Sequence, residues 1–260
     1  MLSYPAAIPL SNYTLVRLAD PIRAERARRR SRWRRLEPGR QAPLVLAHLR
    51  NGDTHVRLAV GFGISYSTAW RYVREAADLH AARADDLGAA GERAARLAYA
   101  ILDGTLVPVD RVANHKPYHS GKHRRHGVNV QTLADPAGRL AWASAALPGA
   151  IHDSTAARTH ALIDMLTVND VTVFADKAYQ GAGGTVRTPF KRHTARPRLS
   201  RGQKAVNRAH ARIRALGERA VSLLKNWKVL AKLRCCPRRA TAIIAAILVL
   251  HHIETRRQPR

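Results

Sequence analysis

The chain has 260 residues, and its 45 Lys and Arg against 18 Asp and Glu give a formal net charge of +27. That balance suits a polyanionic partner and excludes most others. A hydrophobic fraction of 46% with 24% charged residues excludes a disordered basic tail, and the length suits one or two domains. The only cysteines, the adjacent Cys235 and Cys236, exclude a disulfide framework and a four-cysteine zinc site, so a reducing compartment is expected. Met1 to Leu10 lacks a basic segment followed by an apolar one, and the most apolar run, 240–250, is shorter than the roughly 20 residues of a membrane span. A cytoplasmic protein with no membrane association is expected. Arg outnumbers Lys by 37 to 8, and its planar fork matches phosphate oxygens. GC-rich codon usage explains that ratio equally well, though not the net charge.

Residues 21–40 hold nine Arg and two Glu around Trp33 and end in the turn signal Pro38-Gly39. This reads as a basic arm or short helix, either a solvated charge run or a phosphate contact. From Gln41 to about Ala82 the pattern is helical in three pieces, 42–50, 54–60 and 65–80. The turn Gly61-Phe62-Gly63-Ile64 separates the last two, and Ser65 is placed to cap the third. A helix-turn-helix has this pattern, and so has an ordinary three-helix bundle. In a groove-binding arrangement Tyr66, Ser67, Trp70 and Arg71 would face DNA. The Ala-rich stretch 83–97 reads as a helical connector.

After Arg96 strand-like runs begin. LAYAILDGTLVPV is one, and GVNVQTLADPAGRLAWASAAL reads as two joined by a turn at Asp135-Pro136-Ala137-Gly138. Asp153-Ser154-Thr155 can open a helix to about Met165, and 171–176 is a short apolar strand. Residues 203–230 form a long basic helix, and Pro237 opens a last, mostly apolar one. The expected class is α/β, a mixed sheet flanked by helices and preceded by an all-α region. The expected divisions are an arm (1–40), a helix-turn-helix with connector (41–95) and the α/β domain (96–255).

Eight carboxylates lie within 98–234. Asp135, Asp164 and Asp170 have sufficient structural reasons in a turn, a helix and a loop, and Asp110 is expected to pair with Arg111 or a neighbouring cation. Asp103 and Asp176 each follow an apolar strand run, where an isolated charge is costly. If their strands are parallel neighbours the two share one site, and two repelling carboxylates are commonly reconciled by a divalent cation. Glu218 lies in the Arg-rich helix on one stripe with Arg214 and Lys225, and a surface ion pair with Arg214, worth about 0–1 kcal/mol, is little reason for a lone acid there. Asp153 reads as a helix cap or as support for the acids. His115, His119, His123 and His126 invite a zinc reading, but Lys116, Lys122, Arg124 and Arg125 interleave with them, and a basic loop touching DNA is simpler.

LRNGDTHVRLAVGFGISYSTAWRYVREA, ILDGTLVPVDR, YHSGKHRRHGVNVQ, LPGAIHDSTAAR, FADKAYQGAG, NRAHARIRALGERAVSLLKNW and KLRCCPRRA together resemble the DDE transposases of bacterial insertion sequences, the insertion-sequence-5 and Harbinger-like group. The resemblance implies an RNase H-like catalytic fold with Asp103, Asp176 and Glu218 as catalytic and metal-binding acids. It also implies Mg²⁺ with Mn²⁺ as a possible substitute, double-stranded DNA (terminal inverted repeats and target) as partner, homo-oligomers and a bacterial, nucleoid-associated location. Arg214 and Lys225 meet the family's C-terminal signature and would hold phosphate near Glu218, with Lys177 and Tyr179 doing so beside Asp176. The chain departs from the pattern at Ala211, where the family has Tyr, and at Ala178, where it usually has Gly. The rivals are a transposase relative that binds DNA without catalysis and, more remotely, a recombinase that uses Tyr or a His pair.

Overall fold

The structure is a computed structural model of the chain and describes residues 8–31, 34–110, 115–192 and 198–257. Trp33 and Arg111 lie outside the described residues. Within them the chain divides into two compact units, one of Met1–Ala84, Lys225–Leu233 and Arg238–Arg260, the other of Asp85–Leu224 and Arg234–Pro237.

The first unit is helical: α1 (Asn12–Arg28), α2 (Pro38–Asn51), α3 (His55–Phe62), α4 (Tyr66–Ala81) and most of α9 (Pro237–Arg257). Of the two readings of the basic run, arm or short helix, α1 takes the helical one over residues 21–28. Thr14, Leu18, Ile22 and Arg26 recur every fourth residue and all are buried, so the start of the basic run belongs to a core helix. Arg26 donates to the Leu36 carbonyl at 2.7 Å and to Gln41 Oε1, and its guanidinium lies over the Tyr72 ring. Its charge is spent inside the bundle. α9 joins this unit through Glu254, which accepts from Ser11 Oγ at 2.7 Å, and through Arg239, which pairs with Asp78. Gly63, at φ 63°, ends α3 in the left-handed conformation a Cβ disfavours, and Ser65 Oγ accepts from the Thr68 N–H at 3.2 Å to start α4. α3 and α4 thus form a helix-turn-helix.

The second unit holds α5 (Leu87–Ala94), β1 (Ala100–Pro108), β2 (His119–Ser120), β3 (Arg125–Ala134), β4 (Leu140–Ala143), β5 (Leu147–Pro148), α6 (Asp153–Thr159), α7 (Leu162–Val168), β6 (Val173–Ala175), β7 (Val186–Arg187) and α8 (Arg201–Lys225), the last reaching its boundary. The strands form one mixed sheet in the order β2-β3-β1-β6-β7, with β4 and β5 also paired to β3. β1 runs antiparallel to β3 and parallel to β6, which is parallel to β7. Helices cover both faces, as in an RNase H-like domain. On one face Leu102, Leu133, Leu162, Leu166 and Val173 pack with Ala90 and Ala94 of α5, so the expected connector is part of this core. On the other face α8 approaches β1 closely enough that a Cβ on Gly217 would stand 2.6 Å from Ile101 Cγ2.

Two expected helices differ in extent. The helix read from Asp153 to Met165 breaks at Ala161, which takes φ 50°, and the break places Asp164 in the first turn of α7 rather than late in a helix. α8 stops at Lys225, followed by a 3₁₀ turn over Lys228–Ala231.

Candidate functional site

The parallel β1–β6 ladder pairs Ala100 with Val173, Ile101 with Phe174 and Leu102 with Ala175. The next residues along the two chains are Asp103 and Asp176. β6 ends at Ala175, whereas β1 continues to Pro108, so Asp103 stands within its strand and not at its end as read from the sequence. Side chains alternate across a sheet. Ile101 meets Gly217 of α8, and the Phe174 ring meets His210 of α8 edge-on at 5.5 Å, so Asp103 and Asp176, each two residues further on, belong to the α8 face. Burial first, and then the neighbouring Asp176 charge, push the Asp103 carboxyl up to about 6, against the pull of Arg214. Asp176 Oδ1 accepts from the Ala178 N–H at 2.7 Å, closing the 3₁₀ turn Lys177–Tyr179. Ala178 is not among the described residues with positive φ, so its backbone has no need of the family's glycine.

Glu218 lies on α8 one turn after Arg214, on the helix that covers this face. Its side chain is exposed, and among the described residues it makes no ion pair, with Arg214 or any other cation. The half-buried Arg214 acts instead on Asp103. The sheet therefore brings the two aspartates together and leaves Glu218 outside the pair. Among the described residues no group of three or more His, Cys, Asp or Glu is placed to hold a metal ion. Lys177 is exposed beside Asp176, Lys225 is the exposed last residue of α8, and Ala211 is exposed on the same helix.

Tyr179 is not placed to touch phosphate. It is fully buried, and its hydroxyl donates to Gln131 Oε1 at 2.5 Å on the opposite face of the sheet. Gln131 Nε2 donates to Asn129 Oδ1 at 2.8 Å, and Asn129 Nδ2 donates to Asp153 Oδ1 at 2.8 Å. Burial and the charges of Asp153, Asp103 and Asp176, in that order, raise the Tyr179 phenol well above its ordinary value. Asp153 begins α6 without capping it, since His152 is the N-cap residue. Its carboxylate faces Asn129 and Lys122, the latter at 3.3 Å. Sequence reasoning missed Asn129 and Gln131, though two amides at alternate positions of an apolar strand were the available signal.

In the first unit Tyr66, Ser67, Trp70 and Arg71 are all exposed on the first turns of α4. Arg74 lies over the Trp70 ring at 5.2 Å, and the two line a cleft of about 700 Å³ with Arg29, Arg34, Arg35 and Arg71. His119 and His126 pair across β2 and β3 with their rings edge-to-face at 5.2 Å, and His115 meets His126 at 5.5 Å. Asp110 lies 3.9 Å from Arg234. Among the described residues no helix is long and apolar enough to cross a membrane.

The donor chemistry of the pair fits a hard divalent cation. Two adjacent carboxylates, one with its charged form disfavoured, supply oxygen ligands, and Mg²⁺ is commonly held by one or two carboxylates with retained water.

Comparison with curated proteins and with solved structures returned no match. The profile of the DDE superfamily endonuclease matches residues 102–252, and that of the helix-turn-helix of DDE superfamily endonuclease matches residues 34–86. With more than half of its length matched and the helix-turn-helix and mixed sheet in their expected order, the chain belongs to the DDE superfamily endonucleases, the family of insertion-sequence-5 and Harbinger-like transposases.

Proposed function

We propose that this chain is a transposase that binds terminal inverted repeats and carries out metal-dependent DNA cleavage and strand transfer. The single observation that supports it most is the adjacency of Asp103 and Asp176 on one sheet face, with the Asp103 carboxyl raised by burial and by its neighbour. Asp103, Asp176 and, from α8, Glu218 would hold Mg²⁺, for which Mn²⁺ is a substitute. The bound metal supplies charge neutralisation at the phosphorus centre and acidifies an attacking hydroxyl. Arg214, Lys177 and Lys225 would bind the phosphates of the strand being cut, keeping it in line for attack. Water first opens the phosphodiester at the element's end and leaves a 3′-hydroxyl. That hydroxyl then attacks a target phosphodiester, forming the new junction as the target's own 3′ oxygen departs. Tyr66, Ser67, Trp70 and Arg71 would read the repeat from the major groove. Two ends must be cut together, so a homo-oligomer is the working form.

Cleavage of DNA carrying the flanking genomic repeats, run with Mg²⁺ and with EDTA, tests this. Metal-dependent 3′-hydroxyl ends at the repeat boundary are expected, and cleavage indifferent to chelation overturns it. A second reading, a DNA-binding relative without catalysis, draws on the exposed position of Glu218. It predicts repeat binding that is unaffected by Asp103→Asn and accompanied by no cleavage in either protein.

A further inference from the structure

The buried face of the sheet beneath the two aspartates carries a polar chain that the proposed chemistry does not use. It runs in one direction, Tyr179 OH to Gln131, Gln131 to Asn129 and Asn129 to Asp153, with donor-to-acceptor distances of 2.5, 2.8 and 2.8 Å. The direction is fixed at its end, because a carboxylate only accepts. Each amide is thereby oriented, and hydrogen bonds in such a chain polarise one another at low dielectric. Its first two members touch the two acid-bearing segments. Tyr179 closes the 3₁₀ turn that Asp176 begins, while Gln131 pairs in register with Gly104, the residue after Asp103. Asp153 reaches the same place from below, for a Cβ on Gly104 would overlap its carboxylate. Thr132 Oγ1 donates to the Asp103 carbonyl at 3.0 Å and fixes β1 from the neighbouring position.

β6 has only three residues and leaves the sheet at Ala175, so its ladder does not hold the turn after it. We propose that Tyr179, Gln131, Asn129 and Asp153 are positioning residues: a buried relay that sets the separation of the Asp103 and Asp176 carboxylates and so the affinity of the site for a divalent cation. The proposal rests on the reading that these two aspartates bind the metal. Partners that orient metal ligands typically tune affinity by about 10–100-fold.

The test is Mn²⁺ binding to the full-length protein without DNA, followed by the electron paramagnetic resonance signal of free Mn²⁺, beside thermal unfolding in EDTA. Tyr179→Phe keeps the ring and removes only the hydroxyl. It is expected to weaken Mn²⁺ binding about 10-fold with an unfolding midpoint close to wild type. Gln131→Met breaks the same link from the other side. The double variant is expected to lose no more than either single variant, since contacting residues of one network are non-additive. Unchanged Mn²⁺ affinity in Tyr179→Phe and Gln131→Met, with wild type binding normally, overturns the relay alone, as does a fully additive double variant. Wild type that does not bind Mn²⁺, or that binds it as Asp103→Asn/Asp176→Asn does, overturns the metal reading together with the relay.

Discussion

Asp103 and Asp176 occupy the first positions beyond the last paired residues of the parallel β1–β6 ladder, Leu102 and Ala175, so a backbone register, not a side-chain contact, makes them neighbours. The relation is insensitive to the identity of either side chain. Asp103→Asn and Asp176→Asn therefore preserve the fold and should lower Mg²⁺-dependent cleavage on the order of 10²–10³-fold or more, the scale of losing one charge-stabilising group. Retained repeat binding, measured by mobility shift on the same preparations, separates lost chemistry from lost folding.

Glu218 makes a different prediction because it starts outside the pair. If α8 carries it to the metal, Glu218→Gln should cost as much cleavage as either aspartate variant. Added Mn²⁺ should also slow amide hydrogen exchange across residues 214–221 in wild type and not in the variant. A Glu218→Gln protein that cleaves normally would leave the two aspartates as the whole catalytic set.

The legible part of the fold was that written in periodicity and charge scarcity. β1, β3, β6 and α8 announce themselves by apolar alternation or a long helical stripe, and in a chain of net charge +27 the few carboxylates draw notice. The three two-residue strands β2, β5 and β7 are too short to carry a pattern. α1 was legible only as one of two readings, arm or short helix, because its basic surface hides a four-residue repeat whose last member, Arg26, is itself charged. At the site, Asp103 and Asp176 were legible as a pair because both follow apolar runs. The link from Tyr179 to Gln131 spans 48 positions in sequence and depends on the pleat, so the two strand amides signalled a polar site without naming Tyr179 as their partner. Tyr179 looked like a phosphate contact for the same reason: proximity to Asp176 in sequence does not say which face of the sheet a side chain meets.

The proposed role of α4 offers a test of base reading against phosphate holding. Arg71 is exposed on the second turn of α4, and Arg74 is held over the Trp70 ring. Arg71→Ala should cost about 1–3 kcal/mol on the cognate repeat and much less on unrelated DNA if it reads a base. An equal loss on both sequences, with a shallower dependence on salt, would assign it to the backbone instead. Trp70→Ala should weaken both, since it also frees the Arg74 guanidinium it supports.

Acid should loosen the helical unit through His80. The imidazole is 1% exposed and its Nε2 meets the Leu18 carbonyl at 3.4 Å, and burial, the largest influence, lowers its pKa from 6.5 to about 4. Between these two values the unfolded chain binds the proton that the folded one refuses, so stability falls as pH drops from 6.5 toward 4. With each pKa unit worth about 1.4 kcal/mol, the loss from this residue approaches ~3 kcal/mol at the low end. His80→Gln removes the titration while keeping a polar group opposite Leu18. Urea unfolding of both proteins at pH 7 and pH 4.5 should show the wild type losing more stability than the variant by about 2 kcal/mol. Parallel losses would mean that His80 is already protonated, or already solvated, in the folded protein.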